Sequence, residues 1–255
     1  MVTPSVQTTI KHKRRWIALG TFFVTFVLMC LGFAIYVSNY YHADEDAVQA
    51  MSVVDDISVS QMDGDVIVFA PAEPKAGLIF YPGGKVEYIA YSPLMRACAE
   101  QGILCVLVKM PCNLAVLDMN AADGIAEHYP EIENWYIGGH SLGGAMAAAY
   151  AAEHSSDLDG LLLLAAYSTK DLGDSNLTVL SIYGSEDRVL NLQKYDEYRR
   201  NLPSDSVEAV IEGGCHAGFG NYGPQKGDGT PAITNREQIG QTAEKIAEVF
   251  LKTVE

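Results

Sequence analysis

A serine held between two glycines is the feature of this sequence that most directly indicates chemistry. It lies in Gly139-His140-Ser141-Leu142-Gly143, a G-x-S-x-G pattern. An apolar run, WYIG, leads into the pattern, and an alanine-rich run, AMAAAYAAE, follows it. A strand, a tight turn and a helix in this order present the serine hydroxyl above the edge of a sheet. We therefore predict that Ser141 is a nucleophile.

A serine hydroxyl needs a general base, and its position in the chain selects His216 for that role. His216 is the one histidine beyond residue 154, and it lies in GGCHAGFG, a glycine-rich loop after the last predicted strand. His140 is next to the serine, but strand alternation is expected to turn it away from the nucleophile's side. Asp228, between two glycines further along the same loop region, is interpreted as a turn residue.

The acid that orients the imidazole is expected between the serine and the histidine in chain order. Asp187 follows the apolar run TVLSIY in a short loop, and it is the predicted acid. Glu186 is its nearest competitor. Asp171 and Asp174, in the loop after LLLLAAY, are the weaker alternatives.

Acyl transfer also needs hydrogen-bond donors for the oxyanion that develops in the transition state. The backbone N–H of Leu142, at the start of the helix after the serine, is predicted to be one of them. The second is expected from the loop Pro82-Gly83-Gly84-Lys85. We favour the N–H of Gly84, with Lys85 as the close alternative. No metal or organic cofactor is expected, because no ligands have the spacing of a metal site.

Apolar runs alternate with helical patterns along most of the remaining chain. The predicted strands are Ser52–Ser60, Val66–Ala70, Gly77–Tyr81, Ile103–Val108, Trp135–Gly138, Leu161–Ala166, Thr178–Tyr183 and Val207–Ile211, with a turn at Asp63-Gly64. The predicted helices cover residues 88–101, 113–128, 142–154, 191–201 and 235–253. This order predicts a mostly parallel sheet of about eight strands flanked by helices, with its site at the carboxyl ends of the strands. Only residues 168–177 separate two of the strands where a cap would be inserted, so no cap domain is expected.

The N-terminal part of the chain differs sharply from the rest in charge and hydropathy. A basic segment, residues 1–15, precedes an uncharged apolar segment of 22 residues, 16–37. This segment is predicted to be a transmembrane helix, with the N-terminus in the cytoplasm by the positive-inside rule. Residues 38–50 are interpreted as a tether and residues 51–255 as one extracellular domain at the cell membrane. A cleaved signal peptide is the alternative, but its apolar region would be shorter, about 7–15 residues.

The composition excludes several classes of protein. The chain has 255 residues, 49% of them hydrophobic, and this balance excludes a disordered chain. Beyond the first four basic residues, 13 basic and 32 acidic residues give a charge of −19. An acidic surface of this kind repels phosphate backbones, so no nucleic-acid partner is expected.

Cysteine pairing is left open by the sequence. Outside the apolar segment lie Cys98, Cys105, Cys112 and Cys215. An exported domain can form disulfides, and Cys112 and Cys215 each follow a predicted strand, where they could meet. Buried free thiols are the alternative.

Residues 77–254 resemble the α/β-hydrolase superfamily. More narrowly, they resemble a branch of small, often membrane-anchored bacterial hydrolases with blocks of the type YPGGKV, VKMPxNLA, GGHSLGG, YGSxD and CHAGFGNYG. The resemblance implies the α/β-hydrolase fold and the catalytic triad Ser141, Asp187 and His216. The chain departs from the superfamily at Pro82-Gly83, where a His-Gly pair is usual.

These observations together predict a carboxylesterase-like serine hydrolase that cleaves an ester or thioester through an acyl-enzyme on Ser141. Its expected partners are a small-molecule or lipid-like acyl substrate and, through the N-terminal helix, a membrane. An acyltransferase or an amidase that uses the same triad is the first alternative. The second is a non-catalytic, surface-anchored binding module on a hydrolase fold. The sequence indicates no oligomeric state.

Overall fold

The structure is a computed structural model that describes residues 4–52, 56–62 and 66–253. The chain divides into two units, Met1–Asn39 and Tyr40–Glu255. The first unit holds one helix, α1 (Pro4–Ser38), whose segment Trp16–Ser38 has 23 residues and a mean hydropathy of 2.3. A helix of this length extends over roughly 35 Å, more than the ~30 Å of a hydrocarbon core. The N-terminal helix is therefore long and apolar enough to cross a membrane.

The second unit is built around one sheet of eight strands in the order β1-β2-β4-β3-β5-β6-β7-β8. The strands β1 and β2 pair antiparallel, as do β2 and β4, and all other pairs are parallel. The strands are β1 (Ile57–Met62), β2 (Val66–Pro71), β3 (Ala76–Tyr81), β4 (Ile103–Leu107), β5 (Trp135–His140), β6 (Gly160–Leu164), β7 (Thr178–Gly184) and β8 (Val207–Ile211). The helices of this unit are α2 (Glu45–Gln49), α3 (Ser92–Glu100), α4 (Leu142–Glu153), α5 (Leu192–Tyr198) and α6 (Asn235–Phe250). The prediction of a mostly parallel sheet of about eight strands is confirmed.

The central strands are apolar on both faces because helices cover both faces. Along β3, Leu78 and Phe80 belong to the core under α3 and α6, whereas Ile79 and Tyr81 belong to the core under α4. Successive side chains of a strand point to opposite faces, so a continuous apolar run fills two cores at once. Burial on both sides fixes the register of the sheet, and with it the positions of the loops at its carboxyl edge.

The predicted helix over residues 113–128 is wrong. Three short 3-10 turns, Pro111–Asn113, Ala115–Leu117 and Ala126–His128, occupy this part of the chain. Two consecutive residues, Cys112 and Asn113, have positive φ values of 54° and 55°, which an α-helix does not tolerate.

A buried side chain also takes over part of the backbone bonding in this segment. The hydroxyl of Tyr81 donates to the carbonyl of Met119 at 2.8 Å and accepts from the N–H of Ala122 at 2.9 Å. Backbone groups that bond to a side chain in this way do not need a helix to satisfy them.

The segment interpreted as a tether packs onto the domain from Tyr41 onward. The N–H of Tyr41 donates to the carbonyl of Lys85 at 2.8 Å, and the N–H of Glu87 donates to the carbonyl of Tyr41 at 2.9 Å. The N–H of Ala43 donates to Oε2 of Glu87 at 3.0 Å. The short helix α2 follows within this segment. The predicted turn at Asp63-Gly64 lies outside the described residues.

One further feature bears on the access to the carboxyl edge. The connection from β6 to β7, residues 165–177, contains no helix or strand.

All five cysteines lie in the described part of the chain, and each is a free thiol there.

Candidate active site

Ser141 is the single residue between the end of β5 and the start of α4. Its backbone has φ 52° and ψ −118°, a conformation that costs about 1–3 kcal/mol and occurs mainly at functional sites. Its N–H donates to the carbonyl of Leu164 at 2.9 Å. A Cβ atom at Gly139 would lie 2.6 Å from the carbonyl oxygen of Tyr81, and one at Gly143 would collide with the same oxygen. The two glycines of the pattern are therefore required by the close approach of this turn to the end of β3.

Asp187 and His216 are brought together by the loops that follow β7 and β8. Oδ2 of Asp187 accepts from Nδ1 of His216 at 2.8 Å, and both side chains are almost fully buried. Oδ1 of Asp187 accepts from the N–H groups of Val189 and Leu190, each at 2.8 Å. A carboxylate with three donors around it keeps the proton of the imidazole on Nδ1. The other ring nitrogen, Nε2, therefore carries the lone pair that a general base needs.

The ring of His216 also lies close to the serine turn. Its centroid is 4.5 Å from the ring centroid of His140, the residue that directly precedes Ser141. Nε2 of His216 is buried and has no hydrogen-bond partner among the described residues, so it does not yet bond to the hydroxyl of Ser141. Such bonds are often long before substrate binds and tighten in the complex.

The competing acids make contacts other than with the imidazole of His216. Glu186 forms an ion pair with Arg188 at 3.5 Å; the Arg188 side chain is exposed and that of Glu186 is partly exposed. Asp171 and Asp174 are exposed, and Oδ1 of Asp171 accepts from the N–H of Gly173 at 3.0 Å. Of the predicted acids in the described chain, Asp187 alone bonds to His216.

The two predicted oxyanion donors lie next to each other. A Cβ atom at Gly84 would be 2.8 Å from Cδ2 of Leu142, so the loop after β3 lies against the first residue of α4. Within this loop, the N–H of Gly83 donates to Oη of Tyr91 at 3.1 Å, and the N–H of Lys85 donates to the carbonyl of Asn113 at 2.7 Å. Proline at 82 has no N–H. The N–H of Gly84 is thus the one in residues 82–85 that keeps no acceptor in the described part of the protein.

His140 lies in the candidate site, although strand alternation predicts that it points away from the nucleophile's side. Its Nδ1 accepts from the hydroxyl of Tyr91 at 2.8 Å, and its side chain is buried. Burial raises the pKa of Tyr91, so the phenol keeps its proton and acts as the donor. Burial and, to a smaller extent, the neighbouring His216 hold the pKa of His140 well below its ordinary value of 6.5. His140 is therefore neutral, with its proton on Nε2.

The neutral state of His140 has a consequence for stability against pH. In the unfolded chain this histidine takes up a proton near pH 6.5, whereas the folded protein does so only at lower pH. The contribution of His140 to stability is therefore complete above pH 6.5 and falls below it, by at most about 1.4 kcal/mol per pH unit. Replacing His140 with glutamine should flatten the decline of the thermal midpoint between about pH 7 and 5. The exposed His128→Gln is the matched control, and equal slopes for all three proteins would contradict the prediction.

A parallel sheet with a strained serine turn at its carboxyl edge and an aspartate–histidine pair on the following loops defines the class of α/β-hydrolase folds. The model of the alpha/beta hydrolase family matches residues 77–240, and the chain belongs to that family. Among curated proteins, none is similar enough in sequence to be matched. Family membership supports a hydrolase.

Solved structures show the same fold at low sequence identity. TT1662 from Thermus thermophilus has a TM-score of 0.56 and 17% identity, over 78% of this chain and 98% of that one. A predicted CIB-like hydrolase from Thermoplasma acidophilum gives 0.53 and 14%, over 75% and 98%. Est1E from Butyrivibrio proteoclasticus gives 0.52 and 13%, over 78% and 99%. At these identities the likeness concerns the fold alone.

Proposed function

We propose that this protein is a serine hydrolase that cleaves a carboxylic ester or thioester through an acyl-enzyme on Ser141. The observation that carries the proposal is the buried pair of Asp187 and His216. This pair leaves Nε2 of His216 available, and the ring lies against the residue that precedes the strained serine. The family to which the chain belongs supports the hydrolase class.

The proposed reaction uses these groups in turn. Oγ of Ser141 attacks the carbonyl carbon while its proton passes to Nε2 of His216, and Asp187 stabilises the imidazolium that forms. The oxyanion of the tetrahedral intermediate accepts from the N–H groups of Leu142 and Gly84. Collapse of this intermediate breaks the bond to the leaving group, which takes the proton from His216. Water then attacks the acyl-serine with the same histidine as base, releasing the acid and the free serine.

The proposed substrate is an ester or thioester whose acyl length is to be found by assay. The connection after β6 is short and carries no cap, so the carboxyl edge is not covered by an inserted domain. A panel of short and long acyl p-nitrophenyl esters tests the proposal, with the full chain in detergent. Release of p-nitrophenol in a burst, followed by steady turnover in which free acid is formed, supports it. Transfer to an added alcohol in preference to water would indicate an acyltransferase, and no reaction with any ester or fluorophosphonate probe would contradict it.

We further propose that α1 anchors the protein in the cell membrane, with its N-terminus in the cytoplasm and the domain outside. Four basic residues precede the apolar segment, and the first acidic residue, Asp44, comes after it. This asymmetry follows the positive-inside rule.

The orientation can be tested with the chain's own thiols. Cys112 is exposed on the domain, whereas Cys98, Cys105 and Cys215 are buried. A membrane-impermeant maleimide should label intact cells that carry the wild-type protein, and Cys112→Ser should remove the label. Labelling that requires permeabilised cells would place the domain inside.

A further inference from the structure

The carboxylate of Asp228 accepts hydrogen bonds from four backbone N–H groups. Oδ1 accepts from Gly229 at 2.8 Å, from His216 at 3.2 Å and from Arg188 at 3.3 Å. Oδ2 accepts from Ala217 at 2.8 Å. A turn residue that only closes its own loop bonds to neighbours in sequence, whereas three of these donors lie 11 to 40 residues away. The interpretation of Asp228 as a simple turn residue is therefore incomplete.

These donors come from both loops that carry the acid and the base. Arg188 directly follows Asp187, and the other two distant donors are the N–H of His216 itself and that of the next residue. The turn around Asp228 also packs closely on the acid loop, because a Cβ atom at Gly229 would collide with the carbonyl oxygen of Glu186. Asp228 thus joins the backbones on either side of the Asp187–His216 bond.

Other contacts between the two loops act further from the imidazole. The N–H of Glu186 donates to the carbonyl of Gly214 at 2.8 Å, and the N–H of Gly213 donates to Oγ of Ser185 at 2.8 Å. Both contacts involve Gly213 or Gly214, which precede His216, and neither involves His216 or the residues after it. Within the described chain, Asp228 is the side chain that bonds to the backbone N–H of His216.

The site requires an ionised carboxylate. Burial of Asp228 opposes ionisation, but its backbone hydrogen bonds outweigh this effect and lower the pKa of the carboxyl. A carboxylate accepts with both oxygens, whereas an asparagine side chain would turn an NH₂ group toward backbone donors. The amide of asparagine has nearly the same size, so its substitution changes the hydrogen bonding and charge with little change in volume.

We propose that Asp228 is a positioning residue that sets the backbone of His216 relative to Asp187 and so holds Nε2 ready for Ser141. The inference rests on the proposed serine-hydrolase function. It assigns to Asp228 an effect on the chemical step through His216, without contact to substrate. A misplacement of a reacting group by about 1 Å costs on the order of 100-fold in rate.

The test compares Asp228→Asn and Asp228→Ala with a matched control, Asp159→Asn, in the full chain. Asp159 is also half-buried and accepts a backbone N–H, that of Trp135 at 2.8 Å, but at the amino ends of β5 and β6. We expect kcat for a p-nitrophenyl ester to fall about 10-fold in Asp228→Asn and about 100-fold in Asp228→Ala, with KM within about twofold. The control should lose a comparable amount of thermal stability and keep kcat within about threefold.

The kcat values of these variants decide whether Asp228 positions His216. A kcat loss confined to the Asp228 variants, with KM unchanged, supports the positioning role. The positioning role is overturned if Asp228→Asn keeps the wild-type kcat, or if Asp159→Asn loses as much kcat. In both cases the wild type still reacts with a fluorophosphonate probe, so the proposed function stands. Failure of the wild type to react with that probe overturns the proposed function and this inference with it.

Discussion

Replacing Ser141 with alanine is expected to lower kcat for ester hydrolysis by about 10⁵-fold and to abolish labelling by a fluorophosphonate probe. The physical reason is the loss of the only nucleophile that the strained turn presents at the carboxyl edge of the sheet. The fold should remain, because an alanine fits the same backbone and the N–H of residue 141 still donates to Leu164. The measurement is steady-state hydrolysis together with gel-based labelling of the purified full chain.

Two comparisons make this result specific. Ser156→Ala changes an exposed serine beyond the other end of α4, and it should retain full labelling and turnover. Residues that act as one unit lose activity non-additively, so Ser141→Ala with His216→Ala should be no slower than Ser141→Ala alone. Undiminished ester cleavage by Ser141→Ala would remove this residue from the mechanism.

Replacing Asp187 with asparagine is expected to lower kcat by about 10⁴-fold while the protein stays folded. The amide oxygen can still accept from Val189 and Leu190, but the NH₂ group then faces Nδ1 of His216. A donor at that position moves the ring proton to Nε2, where it blocks transfer from Ser141. The measurement is kcat with the same ester, with thermal unfolding as the check on folding.

The matched control for this variant is Glu186→Gln, which neutralises the adjacent carboxylate. Its partner is Arg188 at the solvent-exposed surface, so kcat should change less than about threefold. A large loss in Glu186→Gln with little effect of Asp187→Asn would exchange the roles of the two acids.

The sequence alone predicts the sheet and the serine turn because both depend on local patterns. The apolar runs of β3 to β6 are continuous since both faces are covered, and the glycines around Ser141 are needed within five consecutive residues. The predicted pairing of Asp187 with His216 depends only on which loops share an edge of a parallel sheet. These inferences need no knowledge of side-chain packing between distant segments.

The features that sequence reasoning missed depend on contacts between distant segments. In place of the helix expected at 113–128, the hydroxyl of Tyr81 in β3 bonds to the backbone at Met119 and Ala122. The place of His140 in β5 gives no sign of its contacts with Tyr91, in the 3-10 helix directly before α3, and with the ring of His216. Asp228 between glycines resembles any turn residue, and only the folded chain shows how distant its donors are.

The backbone bonds of Tyr41 with Lys85 and Glu87 connect the segment interpreted as a tether to the proposed active site. Lys85 ends the loop that contains Gly84, the proposed oxyanion donor, and Glu87 lies two residues further on. Their backbone bonds are completed by a residue near the start of the domain. A protease that trimmed the chain past Tyr41 would remove these bonds together with α1. If α1 anchors the protein as proposed, release by such a cut would also loosen the loop that contains Gly84, whereas a cut ahead of Tyr40 would release the domain with these bonds intact.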